Sequence, residues 1–209
     1  LESGEGGGHG LYHSNIHIVL PVGGSYGVGM TTRISHWIDG RLSEGTSGRT
    51  APVHNPATGV RTAEVDLASV EELDAAVASA AEAAREWRHS SLSRRAAVLF
   101  AFRELLNERS PELAKIVTAE HGKVLSDAAG EIARGLENVE FATGVPNLLK
   151  GGFSEQVSTG VDVYNIRQPL GVVAGITPFN FPVMVPLWMC ANAVACGNAF
   201  ILKPSEKDP

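Results

Sequence analysis

An α/β fold is predicted for this chain, and three observations predict it. No charged residue stands between Arg167 and Lys203, and within that run Gly171–Ile176 and Ala199–Lys203 read as strands on either side of a helix at Pro182–Ala195. Elements covered on both faces lose polar–apolar alternation and become continuous apolar sequence. Strand, helix and strand at this spacing form a βαβ unit, whose crossover is right-handed in nearly all proteins. Upstream, short strands punctuated by turn residues precede four segments with helical periodicity.

The elements follow in order. His36-Trp37-Ile38-Asp39-Gly40 reads as a short strand entering a Gly turn. A strand at Pro52-Val53-His54 turns at Asn55-Pro56 and Thr58-Gly59, and a second strand runs through Val65. Ser69-Val70-Glu71-Glu72 is a capping box. Behind it Val70, Leu73, Val77, Ala80, Ala84 and Trp87 repeat at helical spacing. The next helix is expected from about Ser91 to Arg109, with Leu92, Ala96, Leu99, Phe102 and Leu106 on one face. Ser110-Pro111-Glu112 reads as the start of a third, with an N-cap, a Pro in the first turn and an acid near the positive end, closing at Gly122. The fourth spans about Ser126 to Ala142, with Ala129, Ile132, Leu136 and Val139 inward, and Gly144 and Pro146 end it. A strand is expected at Val161–Arg167, broken by Pro169.

A length of 209 residues suits one domain, or one domain and part of another. The net charge of −6 argues against a broad nucleic-acid surface, which needs clustered Lys and Arg. Two cysteines, Cys190 and Cys196, make no disulfide framework, so a reducing, cytoplasmic setting is the default. The uncharged run from Gln168 to Leu202 is long enough to raise a membrane span. Pro169, Pro178, Pro182 and Pro186, with Asn180, Asn192 and Asn198, would leave polar groups unsatisfied in lipid, and a buried βαβ unit explains the run better.

Residues 1–29 contain no Lys or Arg, are rich in Gly and show no sustained period, so they read as a disordered extension rather than a signal or transit peptide. His9, His13 and His17 would align as metal ligands on a helix, but their Gly-rich flanks and Pro21 oppose one, and no metal is expected. Ordered-looking sequence begins at once after Met30, which reads as the true start, leaving 30–209 as the folded part.

Several residues could carry chemistry. Asn180 stands between prolines in Ile176-Thr177-Pro178-Phe179-Asn180-Phe181-Pro182. Its side-chain amide can donate to an oxygen gaining negative charge, or can serve as turn chemistry alone. Lys203-Pro204-Ser205-Glu206 ends a strand, and open α/β sheets bind ligands beyond the C-terminal ends of their strands. Lys203 and Glu206 can therefore donate to and accept from ribose hydroxyls, or be an ordinary solvated strand end. Lys207 is a second cation in the same place. No Gly-x-Gly-x-x-Gly follows the first strand, so the usual dinucleotide fingerprint is missing. Cys190 and Cys196 lie in an apolar helix without a basic neighbour in sequence and read as core residues. Arg134 projects away from the apolar face of its helix.

The Asn180 and Lys203 segments together resemble the aldehyde dehydrogenase superfamily at the start of its NAD-binding domain, and that family also binds NAD without the glycine fingerprint. Gly130–Ala142, Val183–Met189 and Gly197–Lys203 resemble its methylmalonate-semialdehyde dehydrogenase branch. The resemblance covers Thr31 to Pro209. It implies the front of an aldehyde dehydrogenase-like fold with the first βαβ unit of a Rossmann-like domain. The chemistry the resemblance implies is that a cysteine thiolate would attack a semialdehyde, Asn180 would stabilise the oxyanion, hydride would pass to NAD, and coenzyme A would accept the acyl group as CO2 is lost. Arg134 would hold the substrate carboxylate, as its planar fork suits, and Thr177 and Phe179 would line the cofactor channel. The products would be propionyl-CoA or acetyl-CoA, in valine, thymine or inositol breakdown, from a homodimer or homotetramer. The family nucleophile, general-base Glu and oligomerisation strand lie beyond position 209, so the 209 residues alone are expected to be inactive and unstable. Two other readings stay open: a hydrolytic dehydrogenase acting on another semialdehyde such as succinate semialdehyde, and a non-catalytic binding module.

Overall fold

In the computed structural model, residues 32–209 are described. The expectations for the extension at 1–29, for Met30 and for the histidine series lie outside the described residues.

The fold begins with β1 (Thr32–Ile34), β2 (His36–Ile38), β3 (Arg41–Ser43), β4 (Thr50–His54) and β5 (Arg61–Asp66). A three-stranded sheet has the order β1-β5-β4, with β1 parallel and β4 antiparallel to β5. The β2–β3 pair is a hairpin whose two loop residues, Asp39 and Gly40, both have positive φ, at 55° and 68°. That conformation matches the right-handed twist of the flanking strands and favours Asp-Gly. Asp66 fastens this region, accepting from Arg33 Nε at 2.9 Å, Ser35 Oγ at 2.8 Å and the Gly45 N–H at 2.9 Å. Burial pushes its carboxyl up, but these three donors outweigh burial and hold it below the ordinary carboxylate range.

Four helices follow: α1 (Val70–Trp87), α2 (Leu92–His121), α3 (Leu125–Thr143) and the short α4 (Val145–Leu148). The capping box of α1 is formed in both directions between Ser69 and Glu72. The two helices expected over 91–122 are one. Ser110 does not cap a new helix. Its hydroxyl donates back to the Leu106 carbonyl at 2.6 Å, and Pro111 lies inside α2. Proline removes one backbone donor, yet Leu106, Ala114 and Val117 on either side of it are buried, and this packing carries the helix through. Its end is the expected one, at Gly122 with φ 86°. On α3, Ala128 rather than Ala129 faces inward with Ile132 and Val139.

A hairpin of β6 (Phe153–Ser158) and β7 (Val161–Tyr164) comes next, exposed on both faces. β7 is the strand expected from Val161, ending at Tyr164 rather than Arg167, and β6 is an additional strand that the sequence pattern does not predict. The βαβ unit is β8 (Val172–Ile176), α5 (Met184–Ala195) and β9 (Ala199–Lys203). Its strands are parallel, in register from Val172↔Ala199 to Ile176↔Lys203.

β9 is covered on both sides, while β8 is covered on the α5 side and leaves Ala174 and Ile176 of its other face exposed. Ala199 and Ile201, with Val172, pack against Ala80 and Ala84 of α1. The alternate residues Phe200 and Leu202, with Val173, join Leu99, Leu106, Val139, Leu187, Cys190 and Val194 of the helices on the other side. Trp87 clamps the layers together, its indole N–H donating to the Val194 carbonyl at 2.9 Å. Only the second half of the apolar face of α1 is covered: Val70 is 69% exposed. Among the described residues no helix is long and apolar enough to cross a membrane.

Leu99→Ala, at the centre of the main cluster, is expected to lower unfolding stability by about 2–5 kcal/mol. Val70→Ser, on the uncovered start of α1, should change it by less than about 0.5 kcal/mol, both read from urea unfolding.

Candidate active site

The C-terminal ends of β8 and β9 bring the sequence-identified residues to one edge. The register sets Ile176 beside Lys203, and the Thr177 N–H extends the ladder by donating to the Lys203 carbonyl at 3.2 Å. The turn carrying Thr177, Phe179 and Asn180 leaves β8 there, and the segment carrying Lys203, Glu206 and Lys207 leaves β9 beside it.

Asn180 is exposed, and among the described residues no hydrogen bond engages its side chain, while its backbone carbonyl accepts from Lys123 Nζ at 3.1 Å. Thr177 is buried, and its hydroxyl has no hydrogen-bond partner. The Phe179 ring stacks on His121 with centroids 6.4 Å apart, and Lys207 Nζ lies 4.4 Å from its centroid on a cation–π contact. Phe179 thus joins the two strand-end segments to the end of α2. Lys203 Nζ and Glu206 Oε2 are 3.0 Å apart, both half exposed. Such a pair adds little stability and opens easily, leaving a donor and an acceptor side by side. The backbone N–H of Glu206, then Lys203, hold the Glu206 carboxyl below its ordinary range.

Arg134 is exposed on α3, its Nε donating to the Gly130 carbonyl at 3.1 Å. Cys190 is buried, and burial pushes its thiol up to about 12, so it is inert at neutral pH. Cys196 is partly buried beside Arg95.

Sequence reasoning missed three residues here. Glu131 is 0% exposed. One oxygen accepts from the N–H groups of Val183 at 2.8 Å and Met184 at 3.1 Å, and the other from Lys123 Nζ at 2.5 Å. A carboxylate within the apolar face of α3 was the available signal, as was the lack of any capping side chain at Val183. The third is Asp208, buried near Glu120. Burial pushes Glu120 up to about 7, with Asp208 adding to the rise. Burial pushes Asp208 up to about 6 against its hydrogen bond from Ser205. Among the described residues no group of three or more His, Cys, Asp or Glu is placed to hold a metal ion.

A nucleotide cofactor suits this edge by its donor set. The exposed Lys203 and Glu206 offer the two complements of a ribose diol.

The chain belongs to the aldehyde dehydrogenase family, whose profile matches residues 43–209. Malonate-semialdehyde dehydrogenase 2 of Geobacillus thermodenitrificans is 54% identical over 179 residues, which are 86% of this chain and 37% of that protein. Malonate-semialdehyde dehydrogenase of Pseudomonas aeruginosa is 49% identical over 84% of this chain and 35% of its own length. Among solved structures, methylmalonate-semialdehyde dehydrogenase of Oceanimonas doudoroffii shares 50% identity with a TM-score of 0.83, covering 86% of this chain and 36% of that one. A Sinorhizobium meliloti protein described as a methylmalonate-semialdehyde dehydrogenase, complexed with NAD, shares 52% identity with a TM-score of 0.85, over 87% of this chain and 37% of that one. The chain spans little more than a third of the length of these relatives. The family and the aldehyde dehydrogenase-like fold anticipated from the Asn180 and Lys203 segments are both borne out.

Glu120 and Asp208 titrate higher in the fold than the ordinary 4.5 and 3.8. The folded form therefore binds extra protons, so the stability they contribute is full below about pH 4 and is lost as pH rises through about 6 and 7. Unfolding free energy from urea melts is expected to fall across that window, and Glu120→Gln should flatten the fall.

Proposed function

We propose that the protein acts in the NAD-dependent, coenzyme A-acylating oxidation of methylmalonate or malonate semialdehyde, giving propionyl-CoA or acetyl-CoA with loss of CO2. The observation that carries this reading is the meeting of the Asn180 turn and the Lys203 strand end at one edge of the parallel sheet. The identities near 50% to relatives named for these semialdehydes support the substrate class.

Residues 30–209 would form the N-terminal part of the NAD-binding domain. The exposed amide of Asn180 donates to the aldehyde oxygen as charge builds on it. Lys203 and Glu206 bind the adenosine ribose, Lys207 adds a cation, and Thr177 and Phe179 line the cofactor channel. NAD, when bound, supplies the hydride acceptor. Arg134 holds the substrate carboxylate through two parallel hydrogen bonds. The nucleophilic thiolate is not Cys190, whose thiol is buried and pushed up to about 12. It would come from a longer polypeptide, working in the cytoplasm as a homodimer or homotetramer.

In the intact enzyme Asn180→Ala is expected to lower kcat by about 10²–10³-fold, followed as NADH formation with either semialdehyde. An undiminished rate would remove Asn180 from the chemistry. Arg134→Ala should raise KM for carboxylate-bearing aldehydes and leave KM for propionaldehyde unchanged. Equal effects on both substrates would remove Arg134 from carboxylate recognition. Turnover independent of coenzyme A would instead favour a hydrolytic semialdehyde dehydrogenase.

A further inference from the structure

We infer that Glu131 and Lys123 are positioning residues that fix the Asn180 turn to α3. The inference rests on the reading of Asn180 as the oxyanion donor. α5 begins at Val183, whose side chain cannot cap it. The free N–H groups of a helix start need an acceptor. Here the acceptor comes from another helix: Glu131 Oε1 takes the N–H groups of Val183 and Met184, at 2.8 and 3.1 Å. Its second oxygen is held by Lys123 Nζ at 2.5 Å, and the same ammonium donates to the Asn180 carbonyl at 3.1 Å. Lys123 also lies 4.8 Å from the centre of the Phe181 ring. Asn180 is thus gripped at its own carbonyl and, three and four residues later, at the first N–H groups of α5.

A serine or aspartate at Val183 would cap α5 without burying a carboxylate. Such a cap would leave the turn free to move relative to α3. The cross-helix cap removes that freedom, and close packing makes it possible: a Cβ at Gly135 would lie 2.6 Å from Leu187 Cδ1. A side chain there would push Leu187 aside, so the glycine lets Leu187 pack directly on the α3 backbone. Arg134 stands one turn along α3 from Glu131. One helix therefore carries the carboxylate-binding residue and anchors the oxyanion donor, fixing the distance between the two ends of a short semialdehyde.

The test uses the intact, NAD-saturated enzyme with Glu131→Gln, Lys123→Met, Lys123→Arg and Asn180→Ala. Glu131→Gln and Lys123→Met are expected to slow single-turnover hydride transfer by roughly 100-fold while NAD affinity holds, with Lys123→Arg recovering most of the rate. In an Asn180→Ala background, Glu131→Gln should cost almost nothing further, because the two act through one amide. An equal loss in both backgrounds, or a loss that tracks NAD affinity, overturns the proposal. Amide hydrogen exchange separates this outcome from failure of the functional reading. Glu131→Gln should speed exchange at Val183 and Met184 and spare β8 and β9. Unchanged exchange there defeats the clamp whatever Asn180 does. Faster exchange combined with wild-type turnover of Asn180→Ala leaves the clamp standing and sinks the oxyanion role.

Discussion

A parallel pair of strands must be covered on both faces, and the structure is arranged around that requirement. β8 and β9 alternate their side chains strictly, with Ala199 and Ile201 turned to α1 and Phe200 and Leu202 turned to the α2–α3–α5 layer. Helices occupy both faces of β9, and the open places are the outer face of β8, beyond Val172, and the strand ends. The chain puts its polar, exposed residues at the C-terminal ends. The site is therefore a consequence of how the sheet is buried, and the apolar run that hides the strands also delivers Asn180 and Lys203 to their edge.

The second requirement is electrostatic. Glu131 is fully buried, and a buried charge must be paired and hydrogen-bonded. Two helix-start N–H groups and one ammonium meet that need. The positive end of α5 adds a favourable field for a negative group. Removing either partner would strand the other in an apolar setting, which explains why Lys123 and Glu131 work as a unit although neither stands next to Asn180 in sequence.

Much of this was legible beforehand because local rules and tertiary packing agreed. The capping box at Ser69, the Gly122 terminus, the Asn55–Gly59 turn and the βαβ unit each have a short-range signature that the surroundings do not contradict. Where packing overrode local preference, the sequence misled. Ser110-Pro111-Glu112 carries every mark of a helix start, yet the buried face of α2 runs straight through it. β6 has no apolar alternation tied to a core, since its hairpin is exposed on both faces, so its pairing could not be inferred from burial. That Asn180, Lys203, Glu206 and Lys207 lie on segments meeting at one strand-end edge was readable from motif and strand position. Glu131 and Lys123 were not, because their role is defined by residues about 50 positions away that sequence spacing cannot relate.

The bond between Trp87 and Val194 joins residues 107 apart, and the buried alanine face of α1 closes against β8 and β9. Chains whose contacts lie far apart in sequence fold slowly, because a long loop must be closed before any contact rewards it. On the ribosome, α1 has its capping box early and can become helical at once. Its alanine face must then wait while more than 100 residues are added at about 5–20 residues per second, an interval of several seconds or longer. The α1 layer therefore cannot be completed before Val194 has been synthesised.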